Sequence, residues 1–239
     1  MIKPRLSLLK QMPVLIVALF LSACASTGAH DERDPWEGFN RGVYSFNQTM
    51  DNIVFEPVAN VYDLLTPDVL DNGISNVFDN ISQLAVIAND LLQFKFGQAV
   101  NDSVRFFLNS TLGLLGFFDI SSDAGLYSSD EDFGQTLAHW GVGPGPYVVV
   151  PFFGPTTVRD ASGFAIDRGV LSPLFYIEDD LTRAGLLSLN YIDVKSDLLS
   201  TTDLVGGASV DEYEFVKNAY FQKRASQIGG EVLEDFPEE

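Results

Sequence analysis

Apolar residues recur at helical spacing along most of the chain, and this pattern predicts a mostly α-helical protein. In residues 36–53 an apolar side chain returns every three or four positions, and the opposite side is polar. Similar runs occupy residues 69–94 and about 98–109, and shorter ones lie near 178–189 and 211–228. Because neither an internal repeat nor a second domain boundary is visible, we expect these amphipathic helices to form a single domain.

Prolines and small polar residues indicate where the helices begin and end. Asp34 is followed by proline and, three positions later, by Glu37, which is the pattern of a capping box. Pro57 is expected to end or kink this first helix. Pro67, between threonine and aspartate, marks the start of the next helix, and Ser209 is a predicted cap for the last one.

The apolar run at residues 111–118 is too short to span a bilayer. It contains Gly113 and Gly116, and glycines allow two backbones to approach closely. A buried or interfacial helix end is therefore predicted here rather than a membrane-crossing segment.

Residues 133–155 are rich in glycine and proline, and no regular element suits most of them. Gly141, Gly143 and Gly145 alternate with valine and proline, which predicts an irregular loop with unusual backbone angles. Residues 147–150 have the composition of a short strand, but flanking prolines make central pairing unfavourable. Long apolar loops of this kind are often functional, and the prolines argue against nucleotide binding.

The N-terminus has the layout of a bacterial lipoprotein leader. Residues 1–23 combine basic residues, an apolar run and small residues, and Cys24 follows directly in Leu-Ser-Ala-Cys. The alternative is an ordinary signal peptide with a chance cysteine. Acylation of Cys24 accounts for a lone cysteine in an exported chain, and residues 24–33 then form a short tether. By similarity to sorted lipoproteins, Ala25 points to the outer membrane.

Charge and aromatic content narrow the function classes. The chain carries a formal net charge of −19, so nucleic acid and electrostatic adsorption to anionic lipid are disfavoured. Strongly acidic disordered chains are poor in aromatics, whereas this chain has 19 phenylalanines. Either a phenylalanine-rich core or an aromatic surface facing acyl chains explains this composition.

Residues suited to catalysis or metal binding are sparse. There are two histidines: His30 lies in the tether, and His139 is most simply a hydrogen-bonded structural residue. A lipid hydrolase using His139 with Ser128 or Ser162 is an alternative that no spacing supports. The acidic residues 130–132 lack the spacing of a calcium loop, so we expect a solvated loop or a helix cap. No catalytic residue, metal or cofactor is predicted.

Long ordered motifs resemble the MlaA family, also called VacJ lipoproteins. The matching segments are residues 34–41 (DPWEGFNR), 105–119 (RFFLNSTLGLLGFFD), 132–147 (DFGQTLAHWGVGPGPY), 151–160 (PFFGPTTVRD) and 219–224 (AYFQKR). One departure is glutamate at position 212, where the family usually has proline. The resemblance covers residues 34–230 as one helical domain, followed by a flexible acidic tail at 231–239.

This resemblance implies a fold, a function and partners. The fold is mostly α, a single ring-like bundle of short amphipathic helices embedded in one membrane leaflet, with an irregular Gly/Pro-rich loop or hairpin. The family removes phospholipids from the outer leaflet of the outer membrane through an amphipathic channel. It passes them to the periplasmic carrier MlaC, associates with trimeric porins and performs no catalysis. A structural porin-associated lipoprotein without a lipid path remains an alternative.

The matched motifs also supply candidate site residues. Arg105, Asn109, Arg159 and Asp160 are candidates either for the polar channel wall or for internal pairing. The loop containing Gly141, Gly143 and Gly145 is a candidate hinge that controls channel access.

Overall fold

The structure, a computed structural model, describes residues 31–206 and 211–229. In this part of the chain the α-helices are α1 (Glu37–Met50), α2 (Glu56–Leu65), α3 (Asp68–Leu92), α4 (Phe96–Thr111), α5 (Ile120–Asp123), α6 (Phe133–His139), α7 (Val158–Ile166), α8 (Asp180–Gly206) and α9 (Glu212–Ile228). Short π-helical turns follow α1 (Asp51–Phe55) and α7 (Asp167–Leu171), and a 3₁₀ turn covers Pro173–Tyr176. The predicted mostly helical class is confirmed, and α8 extends well beyond its predicted end.

The Gly/Pro-rich region forms one antiparallel hairpin. Strand β1 (Tyr147–Val150) pairs with β2 (Gly154–Thr157), so that Tyr147 faces Thr157 and Val150 faces Gly154. The predicted strand is therefore confirmed. It has a single partner strand, as the flanking prolines indicated.

The start of α1 differs from the predicted capping box. Its N-terminus has no side-chain cap, and Asp34 is instead buried. The Asp34 carboxylate accepts hydrogen bonds from Asn40 Nδ2 at 2.7 Å and from the Tyr213 hydroxyl. The prediction of a capping box is wrong, because these distant polar groups bind the Asp34 carboxylate inside the fold. Ordered contacts begin before it, since Asp31 lies 3.3 Å from Lys217 Nζ on α9.

Two other helix boundaries were only partly predicted. Pro57 neither ends nor breaks the first helix, because the chain continues from α1 through a π-helical turn into α2 and places the proline in its first turn. Helix α3 begins as predicted after Pro67, but without a side-chain cap. Ser209 lies outside the described residues, and the cap of α9 is Asp211, whose carboxylate accepts from the Glu214 N–H.

The run after α4 is a tight turn that lies directly on α3. Leu114 and Leu115 have positive φ angles, and Gly116 has a φ of +97°. A Cβ added to Gly116 would lie 2.5 Å from the Cβ of Asn80. The glycine therefore allows the backbone of this turn to lie against the Asn80 side chain of α3.

Helix packing follows a closed circuit. Helix α1 contacts β1, α9 contacts both β2 and α6, and α6 contacts α3. Helix α3 contacts α8, which packs on α2, and α2 returns to α1 through the π-helical turn. The helices therefore form a ring-like arrangement.

Polarity is inverted relative to an ordinary soluble domain. Among the described residues, six apolar side chains are buried, whereas nineteen polar or charged ones are buried and many large apolar ones are exposed. Helix α4 shows this most clearly: it buries Asp102, Arg105 and Asn109. Its opposite side exposes a stripe formed by Phe96, Val100, Val104 and Phe107. Soluble helices normally bury the apolar side, so this outward stripe requires an apolar environment.

The described helices contain no segment whose length and apolar character would allow it to cross a membrane.

Candidate functional site

A cleft of about 710 Å³ opens between α1, the following π-helical turn, the hairpin turn, α8 and α9. Its polar lining side chains include Asn47, Gln48, Asp51, Asn52, Glu56, Lys195 and Glu212. Its apolar lining includes Phe55, Phe152, Phe153, Tyr191 and Val216. The cleft therefore offers both polar and apolar walls, which is the chemistry that an amphipathic ligand requires.

The hairpin turn is fixed against α1 by one asparagine. Asn47 Nδ2 donates to the Val150 carbonyl at 3.1 Å, and its Oδ1 accepts from the Phe152 N–H at 2.8 Å. Phe152 has a φ of +68°, and the Tyr191 hydroxyl donates to its carbonyl at 2.9 Å. These bonds hold the hairpin turn between α1 and α8, where the Phe152 ring meets Phe55 edge-on with centroids 6.1 Å apart.

The polar wall is predominantly acidic. Lys195 Nζ lies 2.6 Å from Asp51, and Gln48 Nε2 donates to Glu212 at 2.5 Å. Burial, together with the charge of Asp51, raises the pKa of Tyr191. Burial, followed by the charges of Glu212 and neighbouring carboxylates, likewise raises the pKa of Tyr44. Both shifts arise mainly from burial of the tyrosine hydroxyls, and the neighbouring carboxylates act in the same direction.

Arg105 and Asn109 lie away from this cleft and are bonded inside the protein. Arg105 donates to the Leu126 carbonyl and to Ser122, and its guanidinium lies 3.4 Å from Asp119. Asn109 donates to Asp119 at 2.9 Å. The polar cavity beside them measures about 30 Å³, which is the size of a single water molecule and far too small for a lipid.

Arg159 and Asp160 belong to a second internal network. Arg159 Nε donates to Asp160 at 2.8 Å, and Arg224 of α9 donates to Asp160 at 2.9–3.0 Å. Arg224 also contacts Asp132 at 2.6 Å. Burial alone would raise the pKa of Asp160, but hydrogen bonds from Arg159, Arg224 and Tyr220 outweigh burial and lower it to about 2. The structure thus brings Arg159 and Asp160 together, separately from Arg105 and Asn109.

The three loop glycines are exposed between α6 and β1. Gly141 and Gly145 have φ angles of +86° and +67°, whereas Gly143 does not have a positive φ. The loop is bonded to the start of α7: the Arg159 N–H donates to the Pro144 carbonyl at 3.1 Å. The Arg159 side chain also donates to the Val142 carbonyl at 3.4 Å. The candidate hinge and the Asp160 network are therefore connected through one residue.

The structure does not bring His139 together with Ser128 or Ser162, as the alternative lipid hydrolase would require. His139 is exposed at the end of α6. Ser128 instead lies 3.4 Å from Gln83, and Ser162 donates to the Val158 carbonyl at 2.7 Å. His139 also lacks the predicted structural hydrogen bond among the described residues. Cys24 and His30 lie outside those residues.

The acidic residues 130–132 match the predicted solvated loop or helix cap in part: Asp130 is exposed, and the Asp132 carboxylate caps α6 by accepting from the Gln135 N–H at 2.8 Å. Glu131 is buried instead, and it and Asp132 are paired with cations. Glu131 lies 2.5 Å from Lys95, and Asp132 binds Arg224. In residues 31–206 and 211–229, no cluster of three or more histidine, cysteine or acidic ligands is arranged to hold a metal ion.

The sequence analysis named none of the cleft residues as a site. A signal was present for α1, since Asn47, Gln48 and Asp51 occupy the polar side of its predicted helix. No comparable signal marks Lys195 or Glu212, because their position in the cleft depends on how α8 and α9 pack against α1.

The fold and cleft define a class of protein: a ring-like helical protein with an apolar exterior and an amphipathic cleft. The chain belongs to the MlaA lipoprotein family, whose family model matches residues 32–227. The predicted resemblance is therefore confirmed.

Relatives and a solved structure agree with this assignment. The chain is 37% identical over 227 residues to the intermembrane phospholipid transport system lipoprotein MlaA of Escherichia coli K12, covering 92% of this chain and 87% of the relative. It is 34% identical over 201 residues to an uncharacterized protein of Rickettsia bellii, covering 84% of this chain and 79% of the relative. A structure from work on the structural basis for maintenance of bacterial outer membrane lipid asymmetry superposes with a TM-score of 0.72. Its identity is 34%, and the match covers 82% of this chain and 98% of that one.

Proposed function

We propose that this protein is an outer-membrane lipoprotein that removes mislocalised phospholipids from the outer leaflet and delivers them towards the periplasm. The observation that carries the proposal is the inverted polarity of α4, whose apolar stripe faces outward while its charged residues face inward. The names of the E. coli and Haemophilus influenzae relatives, both phospholipid transport lipoproteins, support it.

The dimensions of the stripe favour insertion into a single leaflet. From Phe96 to Phe107 a helix rises about 17 Å, close to half of the ~30 Å hydrocarbon core. The apolar turn at Leu114 and Leu115 adds further exposed apolar surface at the end of α4. An apolar surface of this height matches the depth of one leaflet when the helix stands upright.

The amphipathic cleft is the proposed lipid path. A phospholipid headgroup drawn through hydrocarbon without polar partners costs several kcal/mol. Polar side chains such as Gln48 and Lys195 provide such partners, while Phe55 and Phe152 provide contacts for an acyl chain. A cleft with one polar and one apolar wall therefore lowers the free-energy cost of moving the headgroup and the acyl chains together.

Anchoring and partners complete the proposal. Acylated Cys24 anchors the protein on the periplasm-facing leaflet of the outer membrane. Stable anchoring requires more than one acyl chain, and a bacterial lipoprotein cysteine carries two or three. The lipid passes from the cleft to a periplasmic carrier of the MlaC type, and a trimeric porin is the membrane partner. The loop of Gly141, Gly143 and Gly145 is the proposed gate. No hydrolytic step is proposed, because Ser128 and Ser162 are bonded elsewhere.

Blocking the cleft tests the proposal. Asn52 is exposed and lines the cleft, so Asn52→Trp narrows the cleft with little effect on buried contacts. Asn60→Trp, at an exposed position on α2 outside the cleft, is the matched control. We expect phospholipid that co-purifies with the mature protein to fall to background in Asn52→Trp and to stay unchanged in Asn60→Trp. Equal lipid in both variants would contradict a lipid path through the cleft and favour a structural porin-associated role.

A further inference from the structure

More negative than positive side chains line the cleft. Its lining contains the carboxylates of Asp51, Glu56 and Glu212 and one cation, Lys195. Lys195 is already paired with Asp51 at 2.6 Å. Among the described lining residues, two negative charges therefore remain uncompensated by a cation.

These two carboxylates have few partners of their own. Glu212 accepts a hydrogen bond from the neutral Gln48 amide at 2.5 Å. The Glu56 side chain, which is half-buried at the start of α2, makes no hydrogen bond or ion pair with any described residue. The Glu56 carboxylate is therefore free to receive a positively charged ligand, and the Glu212 carboxylate has a neutral donor but no cation among the lining residues.

Aromatic rings extend this cation-attracting wall. Tyr44, Phe55 and Tyr191 line the same cleft, and the Phe55 and Tyr191 ring centroids lie 4.9 Å apart. Aromatic faces attract ammonium groups through the ring quadrupole. Burial is the main reason that the pKa values of Tyr44 and Tyr191 are raised, and the charges of Glu212 on Tyr44 and of Asp51 on Tyr191 add to it.

We propose that the cleft selects phospholipids whose headgroup carries an ammonium and has no net charge, in preference to phospholipids with an anionic headgroup. This inference rests on the proposed function and adds the substrate class of the same site. Glu56 and Glu212 receive the headgroup ammonium, and Lys195 contacts a phosphodiester oxygen.

The charges explain the direction of the preference. An anionic headgroup brings its phosphate to Lys195 in competition with Asp51 and adds a negative charge to an acidic cleft. A zwitterionic headgroup supplies the same phosphate together with an ammonium that the carboxylates attract. Charges in a partly buried site interact several times more strongly than in bulk water, so the preference should be measurable.

The test compares phosphatidylethanolamine with phosphatidylglycerol of matched acyl chains. The mature acylated protein is presented with both lipids at equal mole fraction in non-ionic detergent micelles, and bound lipids are counted by native mass spectrometry. We expect about a tenfold preference for phosphatidylethanolamine, which corresponds to about 1.4 kcal/mol. Glu56→Gln and Glu212→Gln should each reduce this ratio, and Glu56→Lys should reverse it.

Controls separate this proposal from the proposed function. Glu178→Gln removes an exposed carboxylate outside the cleft and should leave the ratio unchanged, and thermal melting of every variant verifies folding. Equal binding of the two lipids by the wild type would overturn the headgroup preference while leaving lipid binding intact. Binding of neither lipid, at any mole fraction, would overturn both.

Discussion

Asp90 and Asp102 are fully buried acidic residues on the neighbouring helices α3 and α4, and the environment of Asp90 makes its ionisation unfavourable. Asp90 accepts a hydrogen bond from Ser129 at 3.1 Å, while its Oδ2 has no donor among the described residues. Burial, followed by the influence of the adjacent Asp102 carboxyl group, raises the pKa of Asp90 to about 7. The charge of Glu131 acts in the same direction, and the nearby cation, Lys95, is engaged with Glu131 at 2.5 Å.

This shift predicts a pH-dependent stability. Because the native state holds the Asp90 proton to a higher pH than the unfolded chain does, the free energy of unfolding should decrease from about pH 4 to about pH 7. Asp90→Asn removes this titration, and its amide donates to Asp102. We therefore expect the variant to be more stable than the wild type at pH 8 and similar to it at pH 4.

Urea denaturation of both proteins at the two pH values measures this difference. Asp63→Asn, at an exposed position, serves as the control and should have no effect. A stability difference that is the same at pH 4 and pH 8 would contradict the assignment of the titration to Asp90.

At the scale of elements, Arg224 joins α9 to α6 and α7 by contacting Asp132 and Asp160. Its side chain is 12% exposed, so Arg224→Gln leaves Asp132 without a cation and leaves the buried Asp160 with Arg159 as its remaining cation. We expect a loss of about 3 kcal/mol in the free energy of unfolding. Arg224→Lys retains the charge but not the fork of donors and should lose less.

Chemical denaturation at neutral pH distinguishes these variants. Lys223→Gln changes a neighbouring exposed cation and provides the matched control. If Arg224→Gln unfolds with the same midpoint as the control, the network does not hold the three helices together.

The loop between α6 and β1 supplies a second prediction at this scale. A Cβ at Gly143 would meet nothing within 4 Å, and this position does not require a positive φ. Gly143→Val should therefore fold normally while restricting the loop and slowing lipid removal. Gly97→Val, also in open space but outside the loop, is the control. An unfolded Gly143→Val, detected by circular dichroism, would defeat the hinge proposal.

The positions of the helices could be predicted from the sequence more accurately than the contacts between them. Periodicity located α1, α3 and α4 because each has a continuous amphipathic pattern. It misassigned Asp34 as a cap because the competing donor, Tyr213, lies 179 residues away. The cleft escaped prediction for the same reason: the contact of Gln48 with Glu212 arises from packing between distant helices.

At the scale of the whole molecule, the outward stripe of α4 predicts membrane binding without the anchor. A Cys24→Ala protein should still associate with vesicles of neutral lipid, because burial of exposed phenylalanine is favourable by roughly 1.5–3 kcal/mol per side chain. Phe107→Asp in that background should lower the partition coefficient at least about tenfold. Gln98→Asp places the same charge on another side of the helix and should have a small effect.

Vesicle flotation measures the fraction bound for each protein. Equal flotation of Phe107→Asp and Gln98→Asp would show that the stripe does not contact lipid, and the inverted polarity of α4 would then need another explanation.

The most direct test of lipid removal is the amount of phospholipid in the outer leaflet of cells lacking this protein, measured with an enzyme that modifies only surface-exposed lipid. We predict more modified lipid than in wild-type cells. The intact gene and Asn60→Trp should restore the wild-type level, whereas Cys24→Ala and Asn52→Trp should not. An unchanged level of modified lipid in cells lacking the protein would contradict the account and leave the structural porin-associated role as the remaining interpretation.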